Sequence, residues 1–209
     1  MGGFSLKLCF LDAKTLGPGV DIAPLRALGD IEVYETTPAA ETAARLRGAE
    51  VAIVNKTLLT AQVMAADPAL RMVALCSTGV NVVDLDYCRE KGIAVANVAG
   101  YSTRTVAQHT FAMLFYLMEQ LAVYDRYVKA GDYAKSDIFT HFGPPVRELD
   151  GKMFGIVGMG AIGRAVAEIA EAFGARVWYY SASGRNNEQP YPQVGLDELL
   201  AGSDVVSIH

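Results

Sequence analysis

Residues 153–163 read Met153-Phe-Gly-Ile-Val-Gly-Met-Gly-Ala-Ile-Gly163, an apolar run that leads directly into three glycines with the spacing GxGxxG. Apolar residues then recur at helical spacing as far as Phe173, and Gly174 stands where a helix commonly ends. A second apolar run follows at residues 177–180. This order of strand, glycine turn, helix and strand is typical of a dinucleotide-binding unit.

Each glycine of this turn has its own predicted role. Gly158 permits a tight turn out of the strand, Gly160 leaves the backbone open to a pyrophosphate, and Gly163 lets the helix pack closely on the strand. The diphosphate is expected at the N-terminus of the helix, where free N–H groups and the helix dipole favour anions. The alternative is an ordinary glycine-rich turn that binds nothing.

The first hundred residues alternate short apolar runs with helical patterns. Alternation at this spacing indicates βαβ units and a parallel sheet. The fold class is therefore α/β, with a flavodoxin-like domain over residues 1–100 and a Rossmann dinucleotide-binding domain over residues 101–209. The predicted strands of the first domain are residues 6–11, 31–34, 51–54, 71–75 and 93–96, and its predicted helices are residues 24–28, 39–46, 61–66 and 85–91.

The second half also contains a long predicted helix over residues 103–120, which Ser102 or Thr103 can cap. It is apolar on most sides, which is typical of a helix that is buried or lies in an interface. A further helix is expected at residues 122–130. Residues 203–209 are expected to form the third strand of the dinucleotide-binding sheet.

Composition excludes several classes of function. The chain has 18 lysines and arginines against 23 acidic residues, a net charge of -5, so nucleic acid is not an expected partner. Neither a signal peptide nor an apolar stretch of about 18 residues is present, so we expect no membrane span and a cytoplasmic protein.

Cysteine and histidine usage offers no metal site. The three cysteines are an odd number without a CxxC pair, as expected of buried thiols in a reducing compartment. His109, His141 and His209 show no ligand spacing with them. We therefore expect no bound metal.

A second candidate site follows the predicted strand at residues 71–75. Ligands of open parallel sheets bind beyond the carboxyl ends of the strands. The segment Ser77-Thr78-Gly79 lies there, and a small glycine-containing loop can direct successive N–H groups at a carboxylate. The alternative is an ordinary turn between a strand and a helix.

Several segments together resemble the D-isomer-specific 2-hydroxyacid dehydrogenases, and in particular their glycerate dehydrogenase or hydroxypyruvate reductase branch. They lie in the order and spacing of that family. The matching segments are Ser-Thr-Gly-Val-Asn-Val-Val-Asp at residues 77–84, Asn-Val-Ala-Gly-Tyr-Ser-Thr through Val-Ala-Gln at 97–108, Leu-Asp-Gly-Lys at 149–152 with the glycine turn at 158–163, and Ser-Asp-Val-Val-Ser-Ile-His at 203–209.

The resemblance implies hydride transfer between NAD(P)H and a small D-2-hydroxy or 2-keto acid, such as glycerate or hydroxypyruvate. It also implies two domains with a cleft between them, and a homodimer. By the same resemblance, the acid is held by Ser77, Thr78 and Gly79. The implied cofactor-binding residues are Thr105 and Val106 near the nicotinamide, Ala161 and Ile162 against the diphosphate, and the glycines Gly158, Gly160 and Gly163.

The choice between NAD and NADP stays open. An acidic residue about 18–20 positions beyond the third glycine usually binds the adenosine ribose of NAD, but Ser181 stands there. Ser181, Ser183 and Arg185 can instead bind a 2′-phosphate. In the alternative, Ser181 bonds the ribose of NAD and Arg185 points into solvent.

The chain also departs from the family. An arginine, a histidine and a carboxylate perform the family's acid–base chemistry, and their positions fall after residue 209, so we expect no catalytic residue in this chain. We expect the N-terminal part of a longer enzyme or a partial gene product, with little or no turnover alone. In a sheet of order 3-2-1-4-5-6, loss of strands four to six leaves the strand at 153–157 as an edge. The alternative is a non-catalytic dinucleotide-binding module that senses cofactor or dimerises.

Overall fold

The computed structural model describes residues 5–209, which divide into two compact units. The first unit ends at Tyr101 and the second runs from Ser102 to His209. Both units are built on parallel sheets with helical connections, so the predicted α/β fold class is confirmed. Substrate binding by the first domain and cofactor binding by the second stay predictions.

The first unit contains a five-stranded sheet. Its strands are β1 (Leu6–Phe10), β2 (Gly29–Val33), β3 (Val51–Val54), β4 (Met72–Leu75) and β5 (Ala94–Ala96). All neighbouring strands are parallel in the order β2-β1-β3-β4-β5, which is the expected flavodoxin-like arrangement. This order places the carboxyl ends of β1, β3 and β4 side by side at one edge of the sheet.

The helices of the first unit are short. They are α1 (Thr42–Arg45), α2 (Ala61–Met64) and α3 (Leu85–Lys91), together with 3₁₀ turns at Ala13–Leu16, Ala23–Ala27 and Ala39–Glu41. The predicted helix at residues 24–28 is a 3₁₀ turn, since its backbone closes with i to i+3 bonds from Leu25 to Ile22 and from Leu28 to Leu25. The side chain of Asp84 caps α3 by accepting the Tyr87 amide at 3.0 Å.

The second unit contains a three-stranded parallel sheet of β6 (Met153–Val157), β7 (Arg176–Tyr180) and β8 (Val205–Ile208). Its order is β7-β6-β8, so β8 pairs with β6 on the side away from β7. The predicted third strand is present as β8, but it lies at the fourth position of the 3-2-1-4-5-6 order and not at the third. Gln193 forms a single parallel bridge with Tyr179 on the outer side of β7. That is the place of the third strand in the 3-2-1-4-5-6 order.

This arrangement also corrects the expected edge. The strand β6 pairs with β7 on one side and with β8 on the other. The edge strand is instead β8, whose Ile208 is 77% exposed. Counting strands along the chain fails here, because the segment between β7 and β8 contributes a single bridge beside β7 instead of a full strand.

The helices of the second unit are α4 (Thr103–Met118), α5 (Leu121–Lys129), α6 (Ala161–Ala172) and α7 (Leu196–Gly202), with a 3₁₀ turn at Tyr133–Lys135. A Cβ on Gly155 would meet the Leu199 side chain of α7, whereas the next residue, Ile156, lies against Gly163 of α6. Because successive strand residues face opposite sides, α6 and α7 cover opposite faces of the sheet, as in a doubly wound fold.

The helix α4 packs against α6 through aromatic side chains. Phe111 lies 5.8–6.0 Å, between ring centroids, from Phe115, Phe154 and Phe173. The helix ends earlier than predicted because Gln120 adopts the left-handed conformation, with φ of 53°. No helix within residues 5–209 is both long and apolar enough to cross a membrane.

Candidate functional site

The turn after β6 has the geometry that its glycines require. Gly158 has φ of 98°, and a Cβ there would lie 2.1 Å from the carbonyl oxygen of His209. A Cβ on Gly163 would lie 2.1 Å from the carbonyl oxygen of Gly158. The conformational reasons predicted for these two glycines are therefore confirmed: the first makes the turn and the second permits close packing of α6.

Gly160 differs from its two neighbours. Its φ is -74° and nothing lies within 4 Å of a Cβ built on it, so the fold itself does not require glycine there. The residue directly precedes α6, whose first residues, Ala161 and Ile162, donate to no acceptor within residues 5–209. Open space in front of unpaired N-terminal amides is the arrangement that binds a diphosphate.

Arg164 lies in the first turn of the same helix and was not singled out from the sequence. Its exposed side chain donates from Nη1 to the carbonyl oxygen of Met159 at 3.2 Å, so its positive charge lies against the glycine turn. The only sequence signal was its position directly after the third glycine. It adds to the attraction of this turn for an anion.

The end of β7 lies next to the glycine turn, because the Gly158 amide donates to the carbonyl oxygen of Tyr180 at 2.9 Å. Ser181 follows and is half-buried. Arg185 is exposed beyond a turn in which Gly184 has φ of 64° and the Arg185 amide donates to Ser183 Oγ at 3.3 Å. The structure thus brings Ser181 to the turn and leaves Arg185 in solvent.

The segment after β4 in the first unit is fixed by its side chains. The hydroxyl of Ser77 donates to the Gly79 carbonyl at 2.9 Å, and that of Thr78 donates to the Val98 carbonyl at 3.0 Å. The Asn97 amide group donates to the Thr78 carbonyl at 2.7 Å. The two hydroxyls are occupied, whereas the backbone N–H groups of Thr78 and Gly79 find no acceptor in the described part of the chain. Those amides are the groups available to an anion.

Two residues near this segment were missed by the sequence analysis. Asn97 belonged to a family-like segment but was given no role. Asp12, which follows β1, is buried and bonds the segment after β3. The available signal for Asp12 was an acidic residue placed directly after the four apolar residues 8–11.

Thr105 and Val106 lie in the first turns of α4. Thr105 is exposed and Val106 is half-buried, and the Val106 amide donates to the Ser102 carbonyl at 2.8 Å. The predicted side-chain cap is wrong, because Ser102 makes no capping hydrogen bond and Thr103 is already helical. With φ of -98° and ψ of -1°, Ser102 lacks the extended backbone that directs a capping hydroxyl at the helix.

The histidines lie apart from one another. His109 is exposed on α4, and His141 stacks on Tyr127 with ring centroids 3.7 Å apart. His209 Nε2 lies 2.8 Å from Ser207 Oγ, and burial lowers the pKa of its imidazole. No group of three or more histidine, cysteine or acidic side chains among residues 5–209 is arranged to hold a metal.

The cysteines are free thiols. Burial, with a smaller contribution from the charge of Glu32, raises the pKa of the Cys9 thiol to about 11. Burial likewise raises the pKa of Cys76 and of Cys88. Thiols with such values are poor nucleophiles at neutral pH.

Known proteins resemble the chain over nearly its whole length. It is 36% identical over 212 residues to the hydroxypyruvate reductase of Blautia hydrogenotrophica, a match that covers 98% of this chain and 65% of that protein. The chain therefore spans about two thirds of the length of this relative.

Solved structures give the same result. An acyclic imino acid reductase in complex with NADPH and D-Arg has a TM-score of 0.81 and 30% identity, over 98% of this chain and 65% of its own. The D-lactate dehydrogenase of Aquifex aeolicus, in complex with NAD and lactic acid, has a TM-score of 0.75 and 32% identity, over 97% of this chain and 60% of its own.

The family profile described as D-isomer specific 2-hydroxyacid dehydrogenase, catalytic domain, matches residues 13–187. That span includes the segment after β4, the start of α4 and the glycine turn before α6. The parallel strand order of the first unit and the glycine turn of the second agree with it. The chain belongs to the D-isomer specific 2-hydroxyacid dehydrogenase family.

Proposed function

We propose that the protein is an oxidoreductase that transfers hydride between NAD(P)H and a small D-2-hydroxy or 2-keto acid, with glycerate and hydroxypyruvate as the first candidates. The observation that carries the proposal is the open space at Gly160, directly before the free N-terminal amides of α6. Family membership and the likeness to a hydroxypyruvate reductase support the reaction class.

The dinucleotide is held by the second unit. Its diphosphate contacts Gly158, Gly160, Ala161, Ile162 and Gly163, and its nicotinamide end lies near Thr105 and Val106. When bound, the cofactor supplies or accepts the hydride, while the residues of this chain orient it and neutralise its charge.

Either NAD or NADP fits the adenosine end of this site. Ser181 carries no charge that repels a 2′-phosphate, and Arg185 is exposed and close enough along the chain to bind one. One structural relative is a complex with NADPH and another a complex with NAD.

Energy transfer from Trp178, the one tryptophan of the chain, to a reduced nicotinamide measures binding of NADH and NADPH side by side. We expect saturable binding of at least one of them, abolished by excess ADP-ribose. The absence of binding to both would reject the proposal, and a strong NADH preference would reject the NADP assignment.

The acid is held by the first unit at Ser77, Thr78 and Gly79. The free amides of Thr78 and Gly79 are the donors for its carboxylate, while the hydroxyls of Ser77 and Thr78 fix the loop. Backbone donors recognise any carboxylate, so this loop defines the class of ligand and not the individual acid.

We assign no catalytic residue to this chain. His141 is stacked on Tyr127, His209 is paired with Ser207, and neither belongs to the proposed acid-binding loop. We therefore propose that residues 1–209 bind cofactor with little or no turnover. Assay of hydroxypyruvate reduction with NADH and NADPH tests this, and measurable turnover by the isolated chain would contradict it.

We also propose a homodimer through α4, whose outer face is apolar and exposed. Met113, Tyr116 and Leu117 are 52%, 51% and 68% exposed. A continuous apolar face of this kind is typical of an interface. Sedimentation velocity is expected to show a dimer that Leu117→Lys converts to a monomer, with Lys129→Gln as a control. A wild-type monomer would reject the interface.

The cytoplasmic location stays a prediction.

The alternative is a non-catalytic module that binds a dinucleotide and dimerises. The open turn before α6 and the exposed apolar face of α4 suit such a module equally well. The two functions differ in acid binding: the module binds NAD(P)H alone, whereas the oxidoreductase also binds D-glycerate at residues 77–79.

A further inference from the structure

The carboxylate of Asp12 is an internal anion at the carboxyl edge of the first sheet. The residue is only 3% exposed. Its Oδ1 accepts the Asn55 amide at 2.9 Å, and its Oδ2 accepts the amides of Lys56 and Thr57, each at 2.7 Å. Oδ2 also accepts the Thr57 hydroxyl at 2.9 Å. Three successive amides on one carboxylate fix the backbone of residues 55–57 in one conformation.

A second contact ties Asn55 to the segment after β1. The Asn55 side-chain amide donates to Thr15 Oγ1 at 3.0 Å, and the Thr15 hydroxyl donates to the Asp12 carbonyl at 2.7 Å. The backbone of Lys56 therefore lies between two anchored residues.

The pairing of β3 with β4 locates this segment. Val54 pairs with Leu75, and the Cys76 amide still donates to the Val54 carbonyl at 2.8 Å beyond the end of the strands. Continued by two residues, this register places Lys56 level with Ser77. The segment that Asp12 holds thus runs beside the loop with the free Thr78 and Gly79 amides.

The ammonium group of Lys56 is uncommitted. The residue is exposed, and none of the ion pairs formed among residues 5–209 includes it. The charge of Asp12 is compensated by N–H and hydroxyl donors instead of by this lysine. A full positive charge is therefore free on a residue whose backbone runs beside the loop with the free amides.

We propose that Lys56 binds the carboxylate of the acid, and that Asp12 is the positioning residue that holds Lys56 level with Ser77. The inference rests on the proposed function, because its ligand is the same small 2-hydroxy or 2-keto acid. The Thr78 and Gly79 amides give direction to the bound carboxylate, and Lys56 adds the charge.

The test is a titration of the full ¹⁵N-labelled chain with D-glycerate, and with its neutral analogue glyceramide, followed by backbone amide shifts. D-glycerate is expected to shift the Lys56, Thr78 and Gly79 signals. Lys56→Gln is expected to weaken the binding of D-glycerate by about three- to fivefold, which is the size of effect expected for one exposed charge pair. It leaves the weaker binding of glyceramide unchanged. Lys56→Arg restores most of the affinity, and Lys7→Gln at the opposite edge of the sheet changes nothing.

The role of Asp12 is tested through coupling. Asp12→Asn keeps one acceptor oxygen and leaves at least one backbone N–H of residues 55–57 facing an NH2 group, so we expect faster amide exchange at residues 55–57 and a loss of affinity like that of Lys56→Gln. The double variant should bind no more weakly than either single variant, since both act through one ammonium group. If Asp12→Asn does not fold, Thr57→Val replaces it in the test. This variant removes only one of the four bonds to Asp12, so we expect the same effects at a smaller size.

The outcomes separate the inference from the function on which it rests. Wild-type affinity in Lys56→Gln, or additive losses in the double variant, overturns the inference and leaves the acid-binding loop standing. The absence of any D-glycerate shift at Thr78 and Gly79 in the wild-type chain overturns both. NADPH binding, measured in the same samples, shows separately whether the dinucleotide site is intact.

Discussion

The loop at residues 77–79 and the turn at residues 158–163 occupy equivalent places in the two units and are built differently. Each follows the carboxyl end of a parallel strand, and each leaves backbone N–H groups free. The turn of the second unit is fixed by the absence of side chains at Gly158 and Gly163. The loop of the first unit is fixed by hydrogen bonds from Ser77, Thr78 and Asn97. One site is therefore sensitive to added atoms and the other to lost bonds.

The largest effect is expected from adding one methyl group to the second unit. Gly163→Ala drives a Cβ into the Gly158 carbonyl, and we expect the free energy of unfolding to fall by about 3 kcal/mol, at the upper end of overpacking costs. Denaturant unfolding followed by the fluorescence of Trp178, which lies in β7 of this unit, measures the loss. Wild-type stability would show that the contact does not determine the packing of α6.

A smaller loss is expected from removing a bond in the first unit. Ser77→Ala removes the hydroxyl of a buried residue together with its hydrogen bond to the Gly79 carbonyl, which costs about 1 kcal/mol. Amide exchange around residues 77–79 measures the local free energy of opening. Thr78→Val, at an exposed position, is the control and should cost less; equal costs would contradict the role of burial.

Gly160→Ala separates stability from binding within the glycine turn. The added methyl group meets open space at an ordinary φ, so the free energy of unfolding should stay within about 0.5 kcal/mol of wild type. The same methyl group occupies the space proposed for the diphosphate, so NADPH affinity should fall about tenfold, equivalent to about 1.4 kcal/mol. Unchanged affinity would remove Gly160 from the cofactor site.

Ser181→Asp tests the adenosine end of the site. A carboxylate there repels a 2′-phosphate but bonds ribose hydroxyls, so the ratio of NADH to NADPH affinity should rise about fivefold, equivalent to about 1 kcal/mol. Arg185→Gln should change the same ratio in the same direction by a smaller factor. If neither variant changes the ratio of NADH to NADPH affinity, the 2′-position of the adenosine ribose does not lie near Ser181 and Arg185.

The smallest effect is expected on acidification of the first unit. Hydrogen bonds from the Gly48 and Ala69 amides lower the pKa of Asp67 below its ordinary value of 3.8. Its contribution is therefore complete above the unfolded pKa and is lost as pH falls through the lower folded pKa. Because this carboxylate is only half-buried, we expect a contribution of less than about 1 kcal/mol. Asp67→Asn should remove the acid dependence of Gly48 amide exchange and leave exchange in β6 unchanged.

The two sites also differ in how far sequence could predict them. The turn at residues 158–163 was predicted with its bounding strands and helix, because glycine spacing and apolar periodicity are local. The loop at residues 77–79 was located, but its support by Asn97 was not, since Asn97 lies 19 residues from Thr78 and the pairing of β4 with β5 brings the two segments together. Asp12 was missed for the same reason: its partners lie 43–45 residues away.

By itself, the sequence determined the α/β class, the flavodoxin-like first unit, the glycine turn and the family. These follow from periodicity and from backbone conformations that only glycine adopts readily. The tertiary structure alone decided that β8 lies beside β6, that Ser102 makes no cap, and that Asp12 fixes residues 55–57. Strand position and the pairing of buried polar groups depend on which distant segments of the chain come into contact. A local sequence pattern does not specify those contacts.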